Sequence, residues 1–140
     1  MQTLAQPIIQ EEITEGREYW FGLPYCARED GEAIRGQYPI LIWISSKVDT
    51  RATISDAETG TKTNYVIRAN QITQVPYGDA VMNRPPFVDE PKNFGINITA
   101  DDPLSVVIYM SYRWSGEALR VTPVEWLGKK YVTLCLYLDK

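Results

Sequence analysis

Carboxylates are the side chains of this sequence with the clearest capacity for chemistry, and they form three short clusters. A glycosidase needs two carboxyl groups that face each other about 5–10 Å apart, and calcium takes oxygen ligands from loops. All three clusters fall in predicted loops without the D-x-D-x-D spacing of a calcium loop, so we interpret them as solvated charges. The clusters are Glu29-Asp30 with Glu32, Asp89-Glu90, and Asp101-Asp102.

Histidine is absent from the 140 residues. Imidazole is the base of Ser-His-Asp and Cys-His sites and a common zinc ligand, so those catalytic and metal sites are excluded. No glycine-rich phosphate loop follows a predicted strand and opens a helix. We therefore expect a protein that is not an enzyme, with no catalytic residue, no cofactor and no metal.

The two cysteines, Cys26 and Cys135, are too few for a disulfide framework. A single bridge requires Cα atoms within about 7 Å of each other. Cys26 lies just after Pro24, where a strand is expected to end, whereas Cys135 lies within a predicted strand. A residue at the end of one strand and a residue in the middle of another are not expected to lie opposite each other. We therefore predict that the two thiols are not bridged.

Aromatic and basic side chains offer binding chemistry, because Trp, Tyr and Arg are enriched at binding hot spots. The predicted loops 27–37, 78–93 and 113–117 are the least strand-like segments, and loops on a rigid scaffold commonly carry recognition. The prolines of 78–93 would lower the ordering entropy lost on binding. An edge strand at 118–124 is the alternative route to assembly. Five loop side chains are the predicted partner-binding residues: Arg84, Phe87, Asp89, Arg113 and Trp114.

The elements that must position these side chains are predicted β-strands. Between Tyr38 and Tyr77, short β-prone runs alternate with polar turn residues. Gly60 marks a hairpin because glycine adopts positive φ at no steric cost, and residues 49–51 are a second predicted turn. Residues 40–44 are apolar on both faces, as in a strand that is buried on both sides.

The C-terminal half continues this pattern. Residues 94–100 alternate between apolar and polar side chains, which predicts a strand with one buried face. Residues 101–103 are predicted to turn the chain, so that 104–112 returns as its partner, and 131–138 forms a last strand. The spacing predicts an all-β fold, an antiparallel β-sandwich of about eight strands (jelly-roll or Ig-like) with no substantial helix. An up-and-down barrel is the alternative.

The predicted core follows from the same alternation, because one face of each strand must be apolar. Eight side chains are expected to be buried: Ile42, Ile44, Ile96, Ile98, Val106, Ile108, Leu134 and Leu136.

Length and charge bound the organisation of the chain. It fits a single domain at 16–140, preceded by a flexible N-terminal arm at 1–15. The net charge of −4, with no basic run longer than two residues, argues against nucleic-acid binding. No stretch approaches ~18 apolar residues, so we expect no membrane span. The N-terminus has no signal-peptide core, and we favour a mature form from which an export signal was removed.

Two separated stretches carry a resemblance to a known family. Residues 16–22, GREYWFG, are similar to the G-x-E-F-W-x-x-F opening of the immunoglobulin-G Fc-binding-protein N-terminal domain family. Residues 121–132, VTPVEWLGKKYV, resemble its L-P-x-x-x-L-G-x-x-Y-x-V segment. The resemblance implies a secreted or cell-surface β-sandwich module, usually linked to adhesion and without catalytic residues. This sequence departs from the family pattern near Lys140, where the family continues into a second β-rich half.

The leading functional hypothesis is a non-catalytic interaction or structural module, extracellular or at a cell surface, that serves adhesion or assembly. The alternatives are a carbohydrate-binding module with exposed Tyr and Trp, and a virion or tail structural protein. The expected partner is a protein or a glycan, and an oligomer could form through an edge strand. Residues Asn97-Ile98-Thr99 fit an N-glycosylation acceptor, but an ordinary polar strand residue is the preferred interpretation.

Overall fold

The computed structural model of the protein describes residues 14–22, 40–77, 93–112 and 115–130. These residues form seven strands, all paired antiparallel, and a 3₁₀ turn at Val124–Trp126. No helix within them is long and apolar enough to cross a membrane. The strands are β1 (Gly16–Phe21), β2 (Ile40–Ser45), β3 (Thr50–Asp56), β4 (Lys62–Ile67), β5 (Ile72–Tyr77), β6 (Ile96–Tyr112) and β7 (Ser115–Arg120).

Strand β6 is the centre of the sheet, because both of its halves have a partner on either side. Its first half pairs with β1 and β3, and β4 extends this side beyond β3. These strands are called the first half-sheet below. Its second half pairs with β2 and β7, and β5 extends that side beyond β2, which forms the second half-sheet.

The seven strands form one antiparallel sheet that curls into a half-barrel. The predicted all-β, antiparallel class is therefore confirmed. The two separate packed sheets of a sandwich are not confirmed, because the long β6 strand belongs to both half-sheets and joins them through hydrogen-bonded pairs.

The predicted turn at 101–103 is wrong, because the chain passes through these residues inside β6 without reversing. Pro103 has no N–H to donate to a neighbouring strand. It needs none, because β6 changes partners at this point: its pairing with β3 ends before Pro103, and its pairing with β2 begins after it. Side chains bridge the gap. The Asp102 N–H donates to Thr50 Oγ1 at 3.0 Å, and Ser46 Oγ donates to the Pro103 carbonyl at 2.8 Å.

The predicted turn at 49–51 is also wrong, because β3 begins at Thr50 and runs in the same direction as β2. The junction between β2 and β3 is held by the Asp49 carboxylate. It accepts hydrogen bonds from the Ala69 N–H at 2.8 Å and from Arg68 Nη1 at 3.0 Å. These two donors, the backbone N–H first, hold the pKa of Asp49 below its ordinary value.

The predicted hairpin at Gly60 is confirmed, with φ at +71°. Asp56 Oδ1 accepts the N–H groups of Glu58 and Thr59, each at 2.9 Å. This arrangement lets the short polar connection between β3 and β4 satisfy its own backbone donors.

The core lies inside the half-barrel. Side chains alternate between the two faces of a strand, and β6 keeps this alternation through its whole length, so both half-sheets contribute to one core. The prediction is confirmed for Ile42, Ile44, Ile96, Ile98, Val106 and Ile108, all of which are buried. The remaining two predicted core residues, Leu134 and Leu136, lie outside the described residues.

Tyr19 is the largest fully buried side chain of this core. Its hydroxyl accepts the N–H of Gly16 at 2.9 Å and donates to the carbonyl of Leu104 on β6. The phenol therefore ties the start of β1 to the middle of the central strand. The pKa of Tyr19 is raised to about 12, mainly by burial. The negative charges of Glu125 and Glu15 add to this rise, and the hydrogen bond from the Gly16 N–H opposes it.

This shift predicts a loss of stability at alkaline pH. The unfolded tyrosine ionises near its ordinary pKa of about 10, whereas the folded one stays neutral to about 12. The contribution of Tyr19 is therefore complete below pH 10 and lost as the pH rises from 10 to 12. Urea unfolding at several pH values measures this. The stability difference between wild type and Tyr19→Phe should shrink over that window, and a constant difference would contradict the assignment.

Candidate functional site

The predicted partner-binding residues all lie outside the described residues: Arg84, Phe87, Asp89, Arg113 and Trp114. The two cysteines, Cys26 and Cys135, also lie outside them. The described strands instead place a different set of side chains together on the outer face of the sheet. The two half-sheets differ sharply in the chemistry of that face.

The outer face of the first half-sheet is polar. Strand register aligns its outward side chains in rows that cross β4, β3, β6 and β1. One row contains Lys62, Ser55, Asn97 and Trp20, the next contains Asn64, Thr53, Thr99 and Glu18, and the third contains Val66, Arg51 and Asp101.

Trp20 is the prominent aromatic side chain of this face, with 47% of its surface exposed. Its Nε1 donates a hydrogen bond to Glu18 Oε1 at 2.9 Å. Its six-membered ring lies over Gly95, where an added Cβ would be 3.4 Å from Cζ3. The indole is therefore held at its nitrogen and supported under its ring, while about half of it faces solvent.

Asn97 supports the same arrangement from β6. Its Nδ2 donates to the Tyr19 carbonyl at 3.2 Å and lies 3.5 Å from Glu18 Oε1. Glycosylation would attach to this nitrogen, which is already bonded to backbone within the sheet. The contacts favour the interpretation of Asn97 as a polar strand residue that positions Glu18.

A cleft of ≈ 530 Å³ lies on β3, β4 and β6 of the same outer face. Thr53 Oγ1 donates to Asn64 Oδ1 at 2.8 Å across its floor. This bond uses the Thr53 hydroxyl hydrogen and the Asn64 amide oxygen. The Asn64 amide hydrogens and the Thr53 lone pairs therefore stay available to a ligand. The cleft is lined by Arg51, Thr53, Asn64, Tyr65, Val66, Thr99, Ala100 and Asp101.

The outer face of the second half-sheet carries an aromatic pair. Trp43 and Tyr109 stack with ring centroids 5.1 Å apart and planes inclined by 10°. Both rings are half-buried, and the buried Nε1 of Trp43 has no hydrogen-bond acceptor in the described part of the chain. This face explains why residues 40–44 are apolar on both sides, as the sequence indicated.

Trp114 was the tryptophan predicted to bind a partner, and Trp20 was not among the predicted residues. A signal was present, because Tyr19 and Phe21 share the inner face of β1 and alternation then directs Trp20 outward. The polar cleft had no such signal. Its residues come from three strands, and their pairing is not encoded in any local pattern.

Comparison with known proteins assigns no relative to the chain. It matches no protein-family model, no curated protein and no solved structure. The similarity to the immunoglobulin-G Fc-binding-protein N-terminal domain family therefore stays a prediction.

Proposed function

We propose that this protein is a non-catalytic binding module that recognises carbohydrate on the outer face of its first half-sheet. The observation that carries the proposal is Trp20, an exposed indole held by Glu18 on the same sheet face as an open polar cleft. Aromatic rings present an electron-rich face, which attracts the C–H groups on one side of a sugar ring. The hydroxyls of a bound glycan need hydrogen-bond partners, and the cleft on the same face offers Thr53, Asn64 and Thr99.

Rigidity supports the proposal as well. A ligand loses less free energy to ordering when the side chains that it contacts are already fixed. Trp20 is fixed by Glu18 and Gly95, and Thr53 and Asn64 are fixed by each other. These side chains stand on strands, which hold them more precisely than loops do.

A place at a cell surface or outside the cell belongs to the same proposal and rests on the family resemblance. The two segments that carry the resemblance pack together, because the Arg17 N–H donates to Glu125 Oε1 at 2.9 Å across 108 residues of sequence. Adhesion through a surface glycan is consistent with both features.

Replacing Trp20 by alanine is expected to weaken glycan binding roughly five- to thirty-fold, as loss of about 1–2 kcal/mol at a hot spot implies. A glycan array with the wild-type protein identifies a ligand, and isothermal titration calorimetry then measures its affinity for each variant. The matched control is Trp126→Ala, because Trp126 is similarly exposed but lies in the 3₁₀ turn. Equal losses in both variants, or a wild-type protein that binds no glycan, would contradict the proposal.

Assembly with a protein partner is a second candidate function. The observation in its favour is the stacked Trp43–Tyr109 pair on the second half-sheet, with Ile72 69% exposed on the adjoining β5. A partner could also assemble with the protein by adding a strand at β7. The edge strand predicted at 118–124 overlaps β7 and the irregular segment that follows it. A Trp43→Ala change would weaken such assembly, whereas it would leave glycan binding at Trp20 unchanged.

A further inference from the structure

We infer that the ligand is a neutral oligosaccharide that lies across the strands of the first half-sheet, from Trp20 to the cleft lined by Arg51 and Asp101. This inference rests on the proposed carbohydrate-binding function and specifies the length and charge of the ligand. Three properties of the face carry it: its extent, its hydrogen-bonding pattern and its charge.

The extent of the face exceeds a single sugar. Trp20 lies on β1, whereas Asn64 lies on β4, with β6 and β3 between them. Neighbouring strands are about 4.8 Å apart, so the two backbones are separated by roughly 14 Å. A single sugar ring covers about one strand spacing, so a ligand that touches both ends has about three or four units.

The hydrogen-bonding pattern repeats from strand to strand. The row that runs from Glu18 through Thr99 and Thr53 to Asn64 presents a carboxylate, two hydroxyls and an amide. Hydroxyl and amide groups both donate and accept, and they match the mixed donors and acceptors of sugar hydroxyls. Val66, 59% exposed at the far side of the cleft, adds an apolar contact for sugar C–H groups.

The charge of the face is balanced. Arg51 and Asp101 both line the cleft, while Lys62 and Glu18 lie at opposite ends of the rows. Two positive and two negative side chains give no net attraction for a polyanion, whereas glycans rich in uronate or sulfate are recognised by clusters of one sign. The face therefore fits uncharged sugars.

The test uses calorimetry with the full chain and homologous gluco-, manno- and chito-oligosaccharides of one to six units, with an oligogalacturonate as the charged comparison. In the series that binds, affinity should rise at least tenfold from one to four units and then level off. Asn64→Ala should reduce affinity for the tetrasaccharide several-fold and leave the disaccharide unaffected. Trp20→Ala should weaken both.

Other outcomes separate the two proposals. If the protein bound one sugar unit and four units with equal affinity, the inference of an extended ligand would be wrong, although the binding function would stand. The same holds if Asn64→Ala left the affinity for the tetrasaccharide unchanged. If the oligogalacturonate bound more tightly than the neutral oligosaccharides, the inference that the ligand is uncharged would be wrong. Absence of binding in all series overturns the carbohydrate function and this inference together. Asn64 is exposed, so circular dichroism and thermal unfolding of its variant should match wild type.

Discussion

Replacing Ile108 by alanine is expected to lower the free energy of unfolding by about 2–5 kcal/mol. Ile108 is fully buried in β6, where it faces Ile42 on β2 and Leu119 on β7. Truncation removes the transfer free energy of the buried methyl groups and leaves a cavity that a strand with partners on both sides cannot easily close. The loss should therefore fall toward the upper part of this range.

Urea unfolding followed by circular dichroism measures the change. Val66→Ala is the matched control, because Val66 is a β-branched strand residue with 59% of its surface exposed. It should change stability by less than about 0.5 kcal/mol, as surface substitutions usually do. If Ile108→Ala and Val66→Ala had the same midpoint, the assignment of β6 as the central strand would be wrong.

The strands and the core could be predicted from sequence because both follow from short-range alternation. Ile42 and Ile44, like Ile96 and Ile98, lie two residues apart, and a strand places such residues on one face. Alternation says nothing about where a strand ends. Proline after two aspartates resembles a turn, and only the partner exchange in the middle of β6 explains why Pro103 can stay inside a strand.

The candidate site depended on strand pairing, which the sequence does not display. The Asn97 amide contacts the Tyr19 carbonyl across 78 residues, and this contact helps to fix Glu18 at the nitrogen edge of the Trp20 indole. Local patterns could direct Trp20 outward, but they could not place it in one row with Asn97 and Ser55. The predicted partner-binding residues lay in loops, where recognition residues are often found, whereas the described residues assemble a polar face from four strands.

Gly16 lies at the contact between the two segments that resemble a known family. It is buried at the start of β1, opposite Leu104 of β6. An added Cβ would lie 2.3 Å from Pro123 Cβ and 2.8 Å from Pro123 Cγ. A proline ring has little freedom to move away, so relief requires a shift of the backbone of β1 or of the segment that carries Pro123.

Replacing Gly16 by alanine is therefore expected to destabilise the protein by about 1–3 kcal/mol, the usual penalty of overpacking. The shift would also strain the hydrogen bond between the Arg17 N–H and Glu125. Gly22→Ala is the matched control at the other end of β1, because a Cβ there would meet no atom within 4 Å. Thermal unfolding should show a lower Tm for Gly16→Ala and an unchanged or slightly higher Tm for Gly22→Ala. Equal Tm values for the two variants would show that residues 121–126 do not pack on β1 in solution.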